Sequence, residues 1–263
     1  MTRPDRVDAL IGWSGLTGSA LRRARPFDAM FRSTDIDDMR GREFDLVVCA
    51  GVRAEKWKAN RDPEEDRAGI ARLTAVLATV RAAHLVLIST ADVYPVPIGV
   101  DELTVIDPAA GHPYGQHRLA LERFCQERFA CTIVRLPGLF GSGLKKNALF
   151  DLLHDNAVDA IHPDSEFQFY ALDRLWADIV RVRAAGIGLV NFAVEPTAMR
   201  TVALRAFGRT LVAKRDAAPV RYDMRSRHAA RFGGRDGYWY GAASTLDEIT
   251  RFVAAERHGG ATP

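Results

Sequence analysis

The sequence has few cysteines and no long apolar run. Its three cysteines, Cys49, Cys125 and Cys131, are odd in number and lack the spacing of metal ligands, which argues against a disulfide framework and a zinc site. We expect buried thiols in a reducing compartment. No apolar stretch reaches the length of a membrane span, and no signal-peptide pattern follows the first residues. The sequence therefore predicts a cytoplasmic protein without a metal or a membrane partner.

An excess of one charge is also missing. Lysine and arginine total 36 against 33 acidic residues, and the bases are scattered among the acids. A nucleic-acid-binding surface is not expected, although a local basic patch could hold a phosphorylated ligand. With 48% hydrophobic and 26% charged residues, the chain of 263 residues can bury the core of one large α/β domain, or of a domain with a small lobe.

A glycine-rich turn follows the first apolar segment. Residues 7–11 are β-prone, residues 12–18 read Gly-Trp-Ser-Gly-Leu-Thr-Gly, and residues 19–23 have helical character. Strand, glycine turn and helix are the context of a dinucleotide loop, in which the backbone approaches a pyrophosphate and the helix N-terminus offers N–H groups. For this motif alone, an ordinary strand-to-helix turn is the alternative.

Two further strands have ends that suit a nucleotide. Residues 27–32 read as a strand, and the residues after it would face the adenosine ribose. Arg32 there favours NADP, whose 2′-phosphate a base would bind, with a solvated arginine as the equal alternative. Residues 44–51 form a continuous apolar run that ends in small residues, typical of a buried strand whose end lets a ligand approach.

The next segment alternates helix and strand. Residues 53–61 read as basic and irregular, and Asp62-Pro63 has the cap and the first-turn proline of a helix start. Apolar residues between 70 and 80 form a helical stripe, which is either core or dimer surface. Residues 84–88 are a strand that delivers Ser89 and Thr90 to the ligand edge of a parallel sheet. Residues 95–112 read as a loop.

A tyrosine and an arginine share a helix face after that loop. If residues 113–124 are helical, Tyr114 and Arg118 lie one turn apart and point in the same direction. An adjacent cation favours phenolate and should lower the pKa of Tyr114, which makes this residue a candidate general acid or base. A surface Tyr/Arg pair without catalytic function is the alternative.

The remaining chain completes an α/β pattern. We predict strands at 130–136 and 188–192, helices at 144–153, 173–185, 197–207 and 245–255, and an extended segment at 166–172. Strands interleaved with helices predict a Rossmann doubly wound parallel sheet. Residues 221–235 are polar, basic and unperiodic. Their arginines, Arg221 and Arg225 among them, could clamp a nucleotide diphosphate or simply be solvated.

Five motifs in this order resemble those of the extended short-chain dehydrogenase/reductases, in particular the sugar-nucleotide epimerases and dTDP-4-dehydrorhamnose reductases. The resemblance covers residues 7–192 and is carried by the glycine turn, the strand end at 49–51, and residues 87–94, 114–118 and 135–141. It implies a nucleotide-binding Rossmann domain (1–137 and 173–192) and a small substrate lobe (138–172 and 193–263). It also implies a homodimer through the helices that start near Asp62 and Tyr114.

The resemblance assigns roles to individual residues. Thr90, Tyr114 and Arg118 would be catalytic. The NAD or NADP site would comprise Gly12, Ser14, Gly15, Leu16, Thr17, Gly18, Arg32, Ser33, Asp35, Ile36, Cys49, Ala50, Gly51, Ile88, Ser89, Tyr114, Arg118, Pro137, Gly138 and Leu139. The substrate site would comprise Asp92, Val93, Tyr94, Lys145, Asn147, Gln168, Tyr170, Arg221 and Arg225.

Two positions depart from the family pattern. Arg118 stands where the family has the lysine of Tyr-x-x-x-Lys, and Asp66 stands near a position where relatives have asparagine. Arginine keeps the charge but has a bulkier fork that does not release a proton. The motifs thus predict an NAD(P)-dependent reductase or epimerase of a nucleotide-linked or phosphorylated sugar. The alternative is a dinucleotide-binding sensor or scaffold that has lost the chemistry.

Overall fold

A computed structural model describes residues 7–213 and 218–259. The strands are β1 (Asp8–Ile11), β2 (Ala29–Phe31), β3 (Glu43–Cys49), β4 (Arg81–Thr90), β5 (Ile98–Val100), β6 (Cys131–Leu136), β7 (Gly138–Phe140), β8 (Glu166–Phe167), β9 (Phe169–Ala171), β10 (Leu189–Asn191), β11 (Thr197–Ala198) and β12 (Asp223–Met224). The α-helices are α1 (Leu16–Ala24), α2 (Lys56–Arg61), α3 (Pro63–Leu77), α4 (Pro113–Arg128), α5 (Ala148–His154), α6 (Leu175–Ala184), α7 (Met199–Phe207) and α8 (Ala242–Gly259).

The main sheet has six strands in the order β10-β6-β4-β3-β1-β2. Strand β1 pairs in parallel with both β2 and β3, and β3 pairs in parallel with β4. The chain therefore leaves β1 first towards one edge and then returns to the other side. In such a sheet the ligand crevice lies outside the carboxyl ends of the strands at this reversal. The predicted Rossmann α/β class is confirmed.

Helix α3 begins where its capping residues predict and buries the apolar stripe that its sequence predicts. Asp62 is its N-cap and accepts a hydrogen bond from the Glu65 backbone N–H, and Pro63 occupies the first turn, as predicted. Its apolar stripe, including Val76 and Leu77, is fully buried in the core against the sheet. The core interpretation of the stripe is thus the correct one. Each such side chain contributes roughly 1.5–3 kcal/mol on burial.

Residues 53–61 were predicted to be irregular, and this prediction is wrong for residues 56–61. Residues 56–61 form α2, a short helix whose apolar contribution to the core is Ala59. Six residues cannot display a hydrophobic period, so the sequence carries no helix signal here. Tertiary contacts fix α2 instead, because the Asn60 side chain accepts a 3.0 Å hydrogen bond from the Tyr114 backbone N–H.

The chain forms two compact units. The first comprises residues 1–96, 105–135 and 175–190, and the second comprises 97–104, 136–174 and 191–263. Residues 97–104 group with the second unit because β5 pairs with β12, whereas the sequence-based division kept them in the first domain. The second unit has its own core between α5, α7, α8 and β9, which includes Leu149, Phe169, Val202 and Ile249.

Four segments outside the main sheet contain strands that the sequence did not predict, and one of them is β7, directly after β6. Strand β5 lies within the predicted loop 95–112, and β12 lies within the segment predicted to be unperiodic. Residues 197–198, predicted to begin a helix, form β11, and the helix begins at Met199. Strands of two or three residues are too short for alternation to be visible. Within the described residues, 7–213 and 218–259, no helix is both long enough and apolar enough to cross a membrane.

Candidate functional site

The glycine turn after β1 requires glycine at two positions. Gly12 has φ of +81°, a left-handed conformation, and its N–H donates to the Phe31 carbonyl at 2.7 Å. A Cβ on Gly12 would overlap the Ala50 carbonyl, and one on Gly18 would overlap the Gly12 carbonyl. The chain therefore passes tightly between β1 and β3, and α1 packs directly on the turn.

Gly15 is the N-cap of α1 and is exposed. Having no side chain, it cannot satisfy the first N–H groups of the helix. Ser14 before it is exposed as well, and Leu16 and Thr17 form the first helical turn. These N–H groups and the positive end of the helix dipole together favour an anion beside the turn.

Gly18→Ala is expected to destabilise the protein by about 2 kcal/mol or more, because the added Cβ meets backbone that must move. Urea unfolding followed by circular dichroism measures the change. The matched control is Gly69→Ala, at an exposed position of α3 where a Cβ would meet nothing within 4 Å. This control should gain up to about 1 kcal/mol from helix propensity. Equal stability of both variants would show that the turn is not tight.

Arg32, at the carboxyl end of β2, is held from two sides. Its backbone N–H donates to the Asp35 carboxylate at 2.6 Å, and its Nε lies 3.4 Å from the same group. The guanidinium groups of Arg32 and Arg22 lie 5.4 and 5.2 Å from the centre of the Trp13 ring, within cation–π range. Half of the Arg32 side chain stays exposed. Ser33 is exposed beside it, and Ile36 is buried.

The ends of β3 and β4 carry the other predicted nucleotide contacts. Cys49 is fully buried, and burial raises the pKa of its thiol to about 11, so it stays protonated and unreactive. The Ala50 N–H donates to the Ile11 carbonyl at 2.9 Å, and a Cβ on Gly51 would lie 2.7 Å from the Ile11 side chain. These small residues leave the backbone of the strand end accessible to a ligand.

Ile88 and Ser89, near the end of β4, differ in burial. Ile88 is half-buried, whereas Ser89 is buried and its hydroxyl donates to the Glu122 carboxylate of α4. Glu122 in turn pairs with Arg135 of β6, whose guanidinium donates to the Tyr94 hydroxyl at 2.7 Å. Apolar periodicity does not reveal such a buried charge network, and the sequence-based analysis missed it.

Tyr114 and Thr90 are brought together at the carboxyl end of β4. The Thr90 and Tyr114 side chains lie beside each other, and the Thr90 hydroxyl acts to lower the Tyr114 pKa. Tyr114 is 6% exposed and lies in the first turn of α4, which His112 caps by accepting from the Gly115 N–H at 3.2 Å. A Cβ at residue 115 would overlap the Asp92 carbonyl, so Gly115 allows α4 to start directly against the end of β4.

The Arg118 side chain lies over the ring of Tyr114. Its guanidinium carbon is 3.8 Å from the ring centre, and the side chain is 4% exposed. Both terminal nitrogens bind Asp66, with the Nη2–Oδ1 distance at 2.8 Å and the Nη1–Oδ2 contact still closer. Nη2 also donates to the Arg53 carbonyl at 2.6 Å. Asp66, noted only as a departure in the sequence, is therefore the main partner of Arg118.

The expected lowering of the Tyr114 pKa is wrong. Burial raises the pKa of this phenol, and burial is the largest influence on it. The charge of Arg118 acts in the opposite direction but is smaller, and the carboxylates Asp92 and Asp66 add to the increase. The sequence revealed the cation next to Tyr114 but not the burial of the ring or the acids beside it.

Asp92 has a partner that the sequence did not suggest. The Lys56 Nζ of α2 lies 2.7 Å from Asp92 Oδ1, and the Asp92 N–H donates to the Thr90 hydroxyl at 3.1 Å. The contact was missed because 53–61 was not predicted as a helix. The two following predicted substrate residues, Val93 and Tyr94, are 3% and 1% exposed, so Asp92 is the accessible member of the three.

In the second unit, three predicted substrate residues are engaged within the protein. Asn147 caps α5 by accepting from the Leu149 and Phe150 N–H groups, and its amide donates to the Leu139 carbonyl. Gln168 exchanges hydrogen bonds with the backbone of Met224 at 2.7 and 2.8 Å. Tyr170 is fully buried and stacks on a phenylalanine. These contacts hold the unit together.

The predicted cations of the second unit are more accessible. Arg221 pairs with Glu166 and Arg225 with Asp223, yet both arginines remain about half exposed, and Lys145 is exposed too. Pro137 is half-buried, and Gly138 and Leu139 belong to β7. A Cβ on Gly138 would lie 2.9 Å from the Gln168 carbonyl, which explains the glycine.

The described part of the chain contains no candidate metal site. Within 7–213 and 218–259, no group of at least three histidine, cysteine, aspartate or glutamate residues is arranged to hold a metal ion. The polar groups gathered at the ends of β1, β3 and β4 are hydroxyls, amides and paired charges.

Solved structures of other proteins share this fold. A UDP-glucose 4-epimerase from Thermotoga maritima, solved with UDP-glucose, matches 96% of this chain and 99% of its own, with a TM-score of 0.72 and 12% identity. A dTDP-4-dehydrorhamnose reductase from Bacillus anthracis in complex with NADP matches 97% and 100%, with a TM-score of 0.71 and 16% identity. The corresponding reductase from Clostridium acetobutylicum matches 95% and 99%, with a TM-score of 0.71 and 13% identity.

The similarity of this chain to known proteins lies in its fold and not in its sequence. No family model and no curated protein matches the chain. Backbone geometry is retained over nearly the whole length of the solved structures, although fewer than one residue in five is identical. The chain therefore has the Rossmann α/β fold of these reductases and this epimerase, which confirms the fold that the motif resemblance implied.

Proposed function

We propose that the chain is an NAD(P)-dependent reductase or epimerase that acts on a nucleotide-linked or phosphorylated sugar. The observation that carries the proposal is the placement of Tyr114 beside Thr90 at the carboxyl end of β4. The glycine turn lies at the sheet reversal, where open α/β sheets bind nucleotides. Structures with the same fold were solved with NADP and with UDP-glucose, which supports both parts of the proposal.

The residues around β1 fit a dinucleotide. The turn has no side chain at Gly12, Gly15 or Gly18 that could obstruct a pyrophosphate, and α1 starts there with N–H groups that no side chain of Gly15 can satisfy. Arg32 presents a half-exposed guanidinium where the ribose would lie, which favours NADP over NAD. When bound, the nicotinamide supplies or accepts a hydride.

Two hydroxyls would handle the proton. Tyr114 donates to or accepts from the substrate oxygen, and Thr90 holds that oxygen through its own hydroxyl. Asp92 and its partner Lys56 would line the same edge and contact the sugar. Arg118 would keep the Tyr114 ring in place through the stacking contact, because its terminal nitrogens are already engaged.

A second candidate function is a dinucleotide-binding sensor or scaffold without turnover. It is favoured by Arg118, whose two terminal nitrogens bind Asp66 and two backbone carbonyls, while its Nε is buried without a hydrogen-bond partner among the described residues. Both candidates bind the cofactor. They differ in whether the nicotinamide changes its redox state, or the sugar its configuration.

The test has two stages. Calorimetric titration with NADPH and NADH is expected to give binding of both, with NADPH tighter. The 340 nm absorbance of bound NADPH is then followed with a panel of nucleotide-linked 4-keto sugars, because the reduced form absorbs there. Loss of absorbance identifies a reductase, and a changed sugar without net loss identifies an epimerase. Binding with neither result would support the sensor, and absence of binding would contradict both candidates.

A further inference from the structure

Asp66 is not one of the residues that the proposed reaction uses, but it binds Arg118, the cation that lies over the Tyr114 ring. Both of its carboxylate oxygens contact the terminal nitrogens of Arg118, and Oδ2 also lies 2.7 Å from His117 Nδ1. The side chains of Asp66 and Arg118 are 10% and 4% exposed. A bidentate pair at this depth is weakly screened by water and holds its geometry.

The direction of the Arg118 donors matters as much as its charge. Nη1 and Nη2 donate to Asp66, to the Tyr114 carbonyl at 3.3 Å and to the Arg53 carbonyl at 2.6 Å. The cation thus meets the face of the Tyr114 ring, while its terminal donors are engaged elsewhere. A phenolate at residue 114 would gain little from them.

The other charges that face Tyr114 are also paired. Asp92, after β4, is bound to Lys56 of α2 at 2.7 Å, as Asp66 of α3 is bound to Arg118 of α4. The His112 ring lies 6.1 Å from that of Tyr114, and burial lowers its pKa, which disfavours its cationic form. Each cation near the phenol therefore has its own carboxylate, which offsets part of the support that the Arg118 charge gives a phenolate.

We propose that Asp66 is a positioning residue that neutralises Arg118 and keeps Tyr114 protonated, so that the site works as a proton donor and reduces a ketone. The inference rests on the proposed function and narrows its substrate class to carbonyl compounds. The carbonyl carbon accepts a hydride from reduced nicotinamide, the C=O π pair moves to oxygen, and that oxygen takes the Tyr114 proton. The ketone would become an alcohol at the expense of the reduced dinucleotide, and the Tyr114 phenolate would regain a proton from water.

Asp66→Asn tests the proposal because asparagine keeps the shape and one acceptor but removes the charge. The readout is the Tyr114 signal in protein labelled with ¹³C at tyrosine Cζ, assigned by its loss in Tyr114→Phe. We expect the titration midpoint of Tyr114 to fall by about one pH unit or more in Asp66→Asn. The matched control is Glu64→Gln, an exposed acid of the same helix turn with the same change in charge, which should leave the midpoint unchanged.

Each outcome is decisive. An unchanged midpoint in Asp66→Asn, or a midpoint in the unaltered protein below the ordinary tyrosine value of about 10, overturns the proposal. The second criterion needs no folded variant. A shifted midpoint in a protein that binds no NAD(P)H would reject the proposed function while retaining the electrostatic role of Asp66. In an active protein, the pH at which the rate of ketone reduction falls to half should decrease in Asp66→Asn, because Tyr114 then loses its proton at lower pH, and Glu64→Gln should leave this pH unchanged.

Discussion

Tyr114→Phe is expected to lower kcat by about 10²- to 10⁴-fold, the usual contribution of a positioned general acid. Phenylalanine removes only the hydroxyl, so the ring keeps its place beneath the Arg118 guanidinium, 3.8 Å from the ring centre. Stability should change by no more than about 1.5 kcal/mol, the net contribution of one hydrogen bond. Steady-state kinetics at 340 nm, together with thermal melting, separates loss of chemistry from loss of fold.

Thr90→Val provides the companion experiment. Valine preserves the shape of threonine and removes the hydroxyl beside Tyr114. If the two hydroxyls act on one substrate oxygen, the double variant should lose no more activity than Tyr114→Phe alone, because residues that act as a unit are not additive. Cofactor affinity should remain unchanged in all three variants. Full turnover by Tyr114→Phe would exclude the tyrosine as the acid and favour the sensor.

The sequence was most informative where a local pattern dictates the structure. The glycines at 12–18 predicted a turn because only residues without Cβ fit between β1 and β3. Asp62-Pro63 predicted the start of α3 because a cap and a first-turn proline act within four residues. The placement of Thr90 and Tyr114 at one edge followed from the strand–helix alternation, since the carboxyl ends of parallel strands meet there.

The sequence was uninformative where distant residues decide. Arg118 was identified, but its partner Asp66 is 52 positions away and belongs to another helix, so neither spacing nor periodicity connects them. The increase in the Tyr114 pKa depends on burial that α2 and α3 complete. Gln168 was predicted to contact a substrate, and its side chain binds the Met224 backbone 56 positions away, which only the folded second unit brings near.

The buried Glu122–Arg135 pair should give the largest stability effect of any single substitution. Glu122 is 1% exposed and Arg135 4%, and the shortest distance between their charged atoms is 2.6 Å. Burial disfavours the guanidinium charge, but the Glu122 carboxylate raises the Arg135 pKa overall, so Arg135 stays charged. Arg135→Met is expected to destabilise the protein by about 3–5 kcal/mol because it leaves an uncompensated buried carboxylate. Urea unfolding measures the loss.

Two further variants show whether charge or packing is responsible. The double variant Glu122→Leu with Arg135→Met should recover most of the loss, because a buried ion pair and an apolar pair of similar volume are often equally stable. The exposed pair Glu43–Arg81 of the same sheet is the control, and Glu43→Gln should cost less than about 1 kcal/mol. A double variant as unstable as Arg135→Met would assign the effect to the hydrogen bonds of Ser89 and Tyr94 instead. Those bonds fix the strand end that carries Thr90, so such a variant should lose activity before it unfolds.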